Sequence, residues 1–231
     1  MGTQIRKLYD AWQFPEAVVL GLFNATYGFP RSGVCAIGFE PNPAHKPYLT
    51  KLNAFFRQKG YQAIVLTETA ASISTGPATF YMDPGSPVEW GASLASGPWQ
   101  NKPANTTNNV TVWTLDLPAF VANVVRPMVV QDQADSGKRP PAGMKMDVEG
   151  EEQALLPALI TNGALCDLSM IALEPHPDGR SETGKAVQMT LASIEDAFAK
   201  MRRVNSECKV QYTHTDDETY LHADRDVPLP E

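Results

Sequence analysis

Met144-Lys145-Met146-Asp147-Val148-Glu149-Gly150-Glu151-Glu152 carries five ionisable side chains and a glycine within nine residues. The loop-like run Lys138-Arg139-Pro140-Pro141-Ala142-Gly143 precedes it, and Leu155, Leu156 and Leu159 follow at helical spacing. A short, half-apolar segment between a Pro/Gly loop and a helix reads as a buried strand that ends at a turn. Gly150 allows the tight turn. Glu151 and Glu152 suit a helix N-terminus, where the backbone dipole favours negative charge. Asp147 and Glu149 then sit at the carboxyl end of a central strand, the edge where open α/β sheets bind ligands. Two carboxylates there can equally cap the next helix or pair with Lys145, and the local sequence leaves both readings open.

Strand and helix signals alternate on either side of this stretch. Val34-Cys35-Ala36-Ile37-Gly38-Phe39-Glu40, stopped by Pro41-Asn42-Pro43, reads as a buried parallel strand. Tyr48, Leu49, Leu52, Phe55 and Phe56 form a helical stripe, and Tyr61 to Thr67 is a second buried strand. A turn is expected at Ala70-Ala71-Ser72 and an edge strand over Ala78 to Met82. Asp83 to Asn109, rich in Gly, Ser, Pro and Asn and holding Trp90 and Trp99, is a long loop. Val110 to Leu115 is a strand and Pro118 to Val125 a helix. Gln131 to Gly143 reads as a polar linker into the central strand. Leu168 to Leu173 is buried strand again, followed by Glu174-Pro175-His176-Pro177. Val187 to Arg203 is an amphipathic helix. Lys209 to Tyr212 and Glu218 to His222 have the look of a terminal hairpin. Near the N-terminus, Ile5 to Leu22 has weak helical spacing broken at Pro15, and Ala17 to Phe23 suits a helix or a strand. The pattern implies one α/β domain over residues 1–231, a largely parallel doubly wound sheet closed by an antiparallel hairpin.

Composition narrows the function. A formal net charge of −7 without a basic run argues against nucleic acid or an anionic membrane surface as the main partner. No apolar run is long enough to span a bilayer, and Met1 to Asp10 lacks the apolar core of a signal peptide. Cytosol is the default compartment, open to revision if an N-terminal part is missing. Cys35, Cys166 and Cys208, three in number and without CxxC spacing, are expected as buried reduced thiols.

Three strands thus end in acids, at Glu40, at Asp147 and Glu149, and at Glu174. The order Phe39-Glu40-Pro41-Asn42-Pro43, helix, strand, Ala70-Ala71-Ser72, Thr114-Leu115-Asp116 and Lys145 to Glu152 resembles the FkbM-type family of S-adenosylmethionine-dependent methyltransferases. The resemblance covers roughly Val34 to Glu174 and is strongest at its first and last motifs. It implies the Rossmann-like class I methyltransferase fold and O-methylation of a hydroxyl on a small molecule or a glycan. By that analogy Glu40 holds the donor's ribose, and Asn42 belongs to the same donor-binding set. Ala70 and Ala71 lie near its adenine, and Glu149 borders its methionine end. Asp147 or His176 is the candidate base that takes the acceptor's proton. A divalent ion at Asp147 and Glu149 lacks an evident third ligand in the sequence, so no metal site is expected.

The chain departs from the family at the start. The first strand, with its acid and Gly-rich turn, has no counterpart upstream of Glu40. The nearest segment, Val19 to Gly28, has no acid and a phenylalanine where a small residue is needed. Residues 1–33 are therefore read as divergent or truncated. A non-catalytic methyltransferase-like shell without donor binding is one alternative. A nicotinamide-dependent oxidoreductase is another, although the chain lacks GxGxxG.

Overall fold

The computed structural model of the chain describes residues 3–28, 31, 33–83, 91–94, 109–176 and 191–215. It is a mixed α/β structure in two compact units. The first runs to Thr69 and takes in Thr215, and the second is Ala70–His214.

The first unit begins with α1 (Thr3–Tyr9) and α2 (Val19–Tyr27), separated by a single 3-10 turn at Ala11–Gln13. The ambiguous apolar run before Phe23 is thus helical. A β-α-β unit follows: β1 (Ala36–Glu40), α3 (Lys46–Lys59) and β2 (Ala63–Thr67), with β1 and β2 parallel. Leu49, Leu52, Phe55 and Phe56, the stripe legible in the sequence, close over Val65 of β2. Each such side chain contributes about 1.5–3 kcal/mol when fully buried. Gly38 sits where a Cβ would come within 3.0 Å of the Ile5 side chain, so its missing side chain lets α1 approach β1. The strands are not buried on both faces as their apolar runs suggest. Ile37 and Ile64, register partners, are 43% and 42% exposed. Arg31, buried, donates from Nη1 to the carbonyl of Leu8 at 2.7 Å and from Nε to that of Gly28 at 3.3 Å. It thereby serves the carboxyl ends of α1 and α2 together.

Asn53 of α3 reaches the strand backbone. Its Nδ2 donates to the Val65 carbonyl and its Oδ1 accepts from the Val65 amide, both at 2.8 Å. The side chain satisfies both backbone groups of one β2 residue, as a neighbouring strand would. Asn53→Ala is expected to cost about 2 kcal/mol, two net hydrogen bonds with partly buried partners. Urea unfolding of the variant should show an earlier midpoint and an unchanged slope. A loss below a few tenths of a kcal/mol would show that water replaces the amide there.

The second unit holds two three-stranded sheets, ordered β3-β5-β4 and β6-β7-β8. In the first, β3 (Thr69–Ser72) lies beside β5 (Asn109–Asp116), and β4 (Gly76–Tyr81) pairs antiparallel with β5. Ala70, Phe80, Met82 and Val112 form its core. The turn expected at Ala70-Ala71-Ser72 is therefore a strand. Ala70 and Ser72 are buried, and alternate positions of a strand share a face. The chain turns two residues before Ala70, at Glu68, whose φ is 53°.

Helix α4 (Leu117–Phe120) continues through a π turn at Val121–Val125 into α5 (Arg126–Ser136). Asp116 caps it by accepting from the Ala119 amide at 2.8 Å. Pro127, in the first turn of α5, has no N–H to give the preceding turn, which accounts for the widened geometry there. The linker expected from Gln131 is thus helical as far as Ser136.

The second sheet is a β-α-β-α-β run. Its elements are β6 (Gly143–Met146), α6 (Glu152–Thr161), β7 (Met170–Leu173), α7 (Leu191–Val204) and β8 (Gln211–His214), with both strand pairs parallel. Central β7 is buried at all four positions. Phe198 of α7 packs on Tyr212 of β8, with ring centroids 5.2 Å apart. The C-terminal segment was expected to close the sheet as an antiparallel hairpin. Its first strand, β8, joins β7 in parallel, and Glu218 to His222, the expected antiparallel strand, lie outside the described residues. So do Trp90 and Trp99. Within the long loop, Ser93 is described, and it bridges back to Tyr81 of β4 through two backbone hydrogen bonds.

The cysteines differ from expectation. Cys166 and Cys208 form a disulfide across a sequence separation of 42, and Cys35 is exposed with a free thiol. Spacing gave no signal for the pair. The two cysteines meet because each lies a few residues before one of two adjacent parallel strands, β7 and β8. Among the described residues no helix is long and apolar enough to cross a membrane.

Candidate functional site: a carboxylate and histidine cluster at a strand edge

Beyond Met146 the chain leaves β6 and reverses. Glu149 and Gly150 have φ values of 53° and 104°. Gly150 is at ease there, but Glu149 is not, since a side chain at positive φ is uncommon. Three contacts hold the turn. Ser93 Oγ donates to the Glu149 carbonyl at 2.7 Å. Glu152 accepts from the Val148 amide at 3.1 Å through Oε1 and from the Gly150 amide at 2.8 Å through Oε2. Glu152 is the first residue of α6 and 2% exposed. A carboxylate at a helix N-terminus is electrostatically favoured, and here it also satisfies backbone donors that the turn would leave unpaired.

His176 arrives from the neighbouring strand, three residues past the end of β7. Its Nδ1 donates to Glu152 Oε1 at 2.8 Å. An ionised carboxylate only accepts, so the Nδ1 proton is fixed and Nε2 points the other way. Nε2 lies 3.6 Å from Glu149 Oε2 and 4.0 Å from Asp147 Oδ1. Beside them, Lys145 Nζ is 2.9 Å from Glu174 Oε2 and 3.6 Å from Asp147 Oδ2. Two possible cations, Lys145 and His176, thus face four carboxylates. The most open of these side chains is Asp147, at 37%, against 18% for His176.

Burial pushes the His176 pKa down. The hydrogen bond to Glu152 and the charges of Glu152, Glu149 and Asp147 outweigh it and raise the pKa from 6.5 to about 9. The imidazole therefore carries its proton at neutral pH. Of the two candidate bases, this counts against His176 and leaves Asp147. A raised folded-state pKa contributes stability that is whole below the unfolded value, 6.5, and disappears as pH rises through about 9. The contribution is on the order of 3 kcal/mol. Urea unfolding from pH 6 to 10, with chelator present, should show this loss, and His176→Gln should remove that part of the slope. A wild-type and variant pair with parallel pH profiles would contradict the assignment.

Glu151 faces another way. Its Oε1 accepts from Ser72 Oγ at 2.7 Å. Burial raises its carboxyl pKa, the Ser72 hydrogen bond opposes, and the Glu152 charge adds to the rise. With Ser72, Gly76, Tyr81 and Thr114 it lines an open cavity of about 550 Å³.

The structure brings Asp147, Glu149 and His176 together. Ala70 and Ala71 lie on β3. Glu40 and Asn42 belong to the first unit, where they are tied to the local turn. The Asn42 amide donates to Glu40 Oε1 at 3.0 Å, and His45 Nδ1 lies 3.3 Å from the same oxygen. Asn42, buried, accepts from the Ala44 amide at 2.9 Å and caps the 3-10 turn Pro43–His45. Sequence reasoning missed the part of Glu152, taking it only as a helix-start charge. The sequence carried no signal for it, because the contact depends on β6 and β7 being neighbours, which places the residues that trail them side by side. No family model, no curated protein and no solved structure matches this chain.

Proposed function

We propose that this chain is an S-adenosylmethionine-dependent methyltransferase of the FkbM type, acting on a hydroxyl of a small molecule or glycan. The observation that carries the reading is the cluster at the carboxyl edge of β6 and β7. The Lys145 to Glu152 segment that resembles the family there forms a strand, a strained turn and a helix start around Asp147. Ligands bind at such edges in α/β sheets.

Two segments bear on how well the chain fits the donor. Glu40 ends a parallel strand and is held by the Asn42 amide, which suits a carboxylate that accepts from ribose hydroxyls. Val19–Tyr27, the nearest counterpart of the Gly-rich turn, is helical and does not fit the donor's methionine end. When bound, the donor would supply an electrophilic methyl group. The chain's own task is to position a hydroxyl and take its proton. Asp147 is the group to do so: it is the most open carboxylate of the cluster, and His176 already holds a proton.

The helix at Val19–Tyr27 favours a second reading, a methyltransferase-like protein that does not bind the donor. Calorimetric titration with S-adenosylmethionine and S-adenosylhomocysteine separates the two, with NAD as a third ligand and Glu40→Ala as the control. Micromolar donor binding abolished by Glu40→Ala supports the methyltransferase. A folded chain that binds neither sulfur compound supports the second reading, and binding of NAD alone points to an oxidoreductase.

A further inference from the structure

We propose that Asp147, Glu149 and His176 bind a first-row divalent transition ion. Their ligand atoms all lie within 4.8 Å of one another. Ligands about 2.0–2.2 Å from a tetrahedral ion lie roughly 3.3 Å apart, so rotamer adjustments alone bring the three atoms into range. Acids gathered at a surface would not suffice for this assignment, because solvated carboxylates cluster without binding anything. The independent observation is His176 and what holds it. Its Nδ1 is hydrogen-bonded to a carboxylate that is 2% exposed, and its Nε2 faces the two acids. A buried carboxylate, a histidine, then a ligand position is the arrangement by which proteins fix the tautomer and orientation of metal-binding imidazoles.

Charge points the same way. Four carboxylates surround Lys145 and His176, and Lys145 is taken up chiefly by Glu174 at 2.9 Å. Among the described side chains here four acids meet two cationic groups, a balance that suits a divalent ion. Two carboxylates and one imidazole suit zinc or manganese rather than magnesium or calcium, which favour all-oxygen sets. Asp147 is partly open to solvent, leaving a side from which water or a hydroxyl could complete the coordination. An Asp147 that ligates the ion is not the free base proposed for methyl transfer, so the site does not rest on that reading and is tested separately from it.

The test is calorimetric titration of the whole chain, stripped with chelator and dialysed, with zinc, manganese and magnesium salts at pH 7.5. One zinc or manganese ion per chain is expected, with magnesium at least tenfold weaker. His176→Ala should weaken binding about 100-fold or more, and Glu152→Gln, which takes the charge from the carboxylate behind the imidazole and keeps one acceptor oxygen, about 10–100-fold. Cys35→Ser and His214→Ala, which alter other potential ligands, should change nothing. Cobalt as a spectroscopic probe should give ligand-field bands that His176→Ala abolishes. Far-UV circular dichroism in chelator checks that each variant folds. If His176→Ala does not, the volume-conserving Glu149→Gln carries the test, with at least a tenfold loss expected. Zinc and manganese binding no tighter than millimolar would overturn the proposal, as would binding unaffected by His176→Ala or Glu149→Gln.

Discussion

Glu152→Ala should destabilise the second unit by about 3–5 kcal/mol, the range for removing one partner of a buried charge pair. One carboxylate serves three donors: the amides of Val148 and Gly150 and Nδ1 of His176. Alanine removes all three acceptors at once. Two amides of a positive-φ turn lose their partner, and a half-buried imidazolium loses its strongest counter-charge. Each orphaned buried donor costs about 1–3 kcal/mol. Glu152→Gln keeps one acceptor oxygen without the charge, so it should fall between alanine and wild type. Urea midpoints of the three proteins give the ordering. NMR titration of His176 gives an independent readout, since its pKa should move from about 9 back toward 6.5 in the alanine variant. A loss under 1 kcal/mol together with an unmoved His176 titration would mean that the turn is held by other contacts.

Reduction of the Cys166–Cys208 disulfide should cost about as much. A cross-link closing a loop of 42 residues lowers the entropy of the unfolded chain by the equivalent of about 4 kcal/mol in the chain-entropy description. Nearly all of it should appear in urea unfolding with and without reductant, and a Cys166→Ser, Cys208→Ser double variant should match the reduced wild type. Equal midpoints with and without reductant would show that the cross-link contributes no net stability. Reductant should leave the double variant unchanged, because Cys35 stands outside the bridge.

The sequence disclosed those elements in which one physical signal dominated. Val34 to Glu40, Tyr61 to Thr67, Val110 to Leu115 and Leu168 to Leu173 are largely apolar runs, and each coincides with a strand to within two residues at either end. Leu49 to Phe56 kept its 3.6-residue stripe and became the core of the first unit. Elements without a stripe were lost. Ala70-Ala71-Ser72 has small residues that suit a turn, and it is a strand through its place beside β5 and the packing of Ala70 with Phe80 and Val112. Helix α5 buries Val129 alone, so its sequence reads as a linker, and the π turn before it shifts the phase of any periodicity carried over from α4. In the candidate site, Asp147 and Glu149 were legible from their place after a strand. The bond between His176 and Glu152 spans 24 residues and was not, because it depends on which strands are neighbours. Glu40 and Asn42, picked out for a ligand, also make turn contacts within five residues of themselves, the short-range kind that sequence spacing carries.

The β6-β7-β8 sheet is fastened differently at its two rims. At the rim where its strands begin, Cys166 and Cys208 are covalently joined just ahead of β7 and β8. At the rim where they end, Lys145, Asp147, Glu174, His176 and Glu152 hold one another by charge. The two rims therefore answer to separate solution levers. Reductant loosens the first and alkaline pH the second, so amide exchange should quicken first at Met170 and Gln211 in one case and at Leu173 and His214 in the other, leaving the middle of β7 as the last part of the sheet to open.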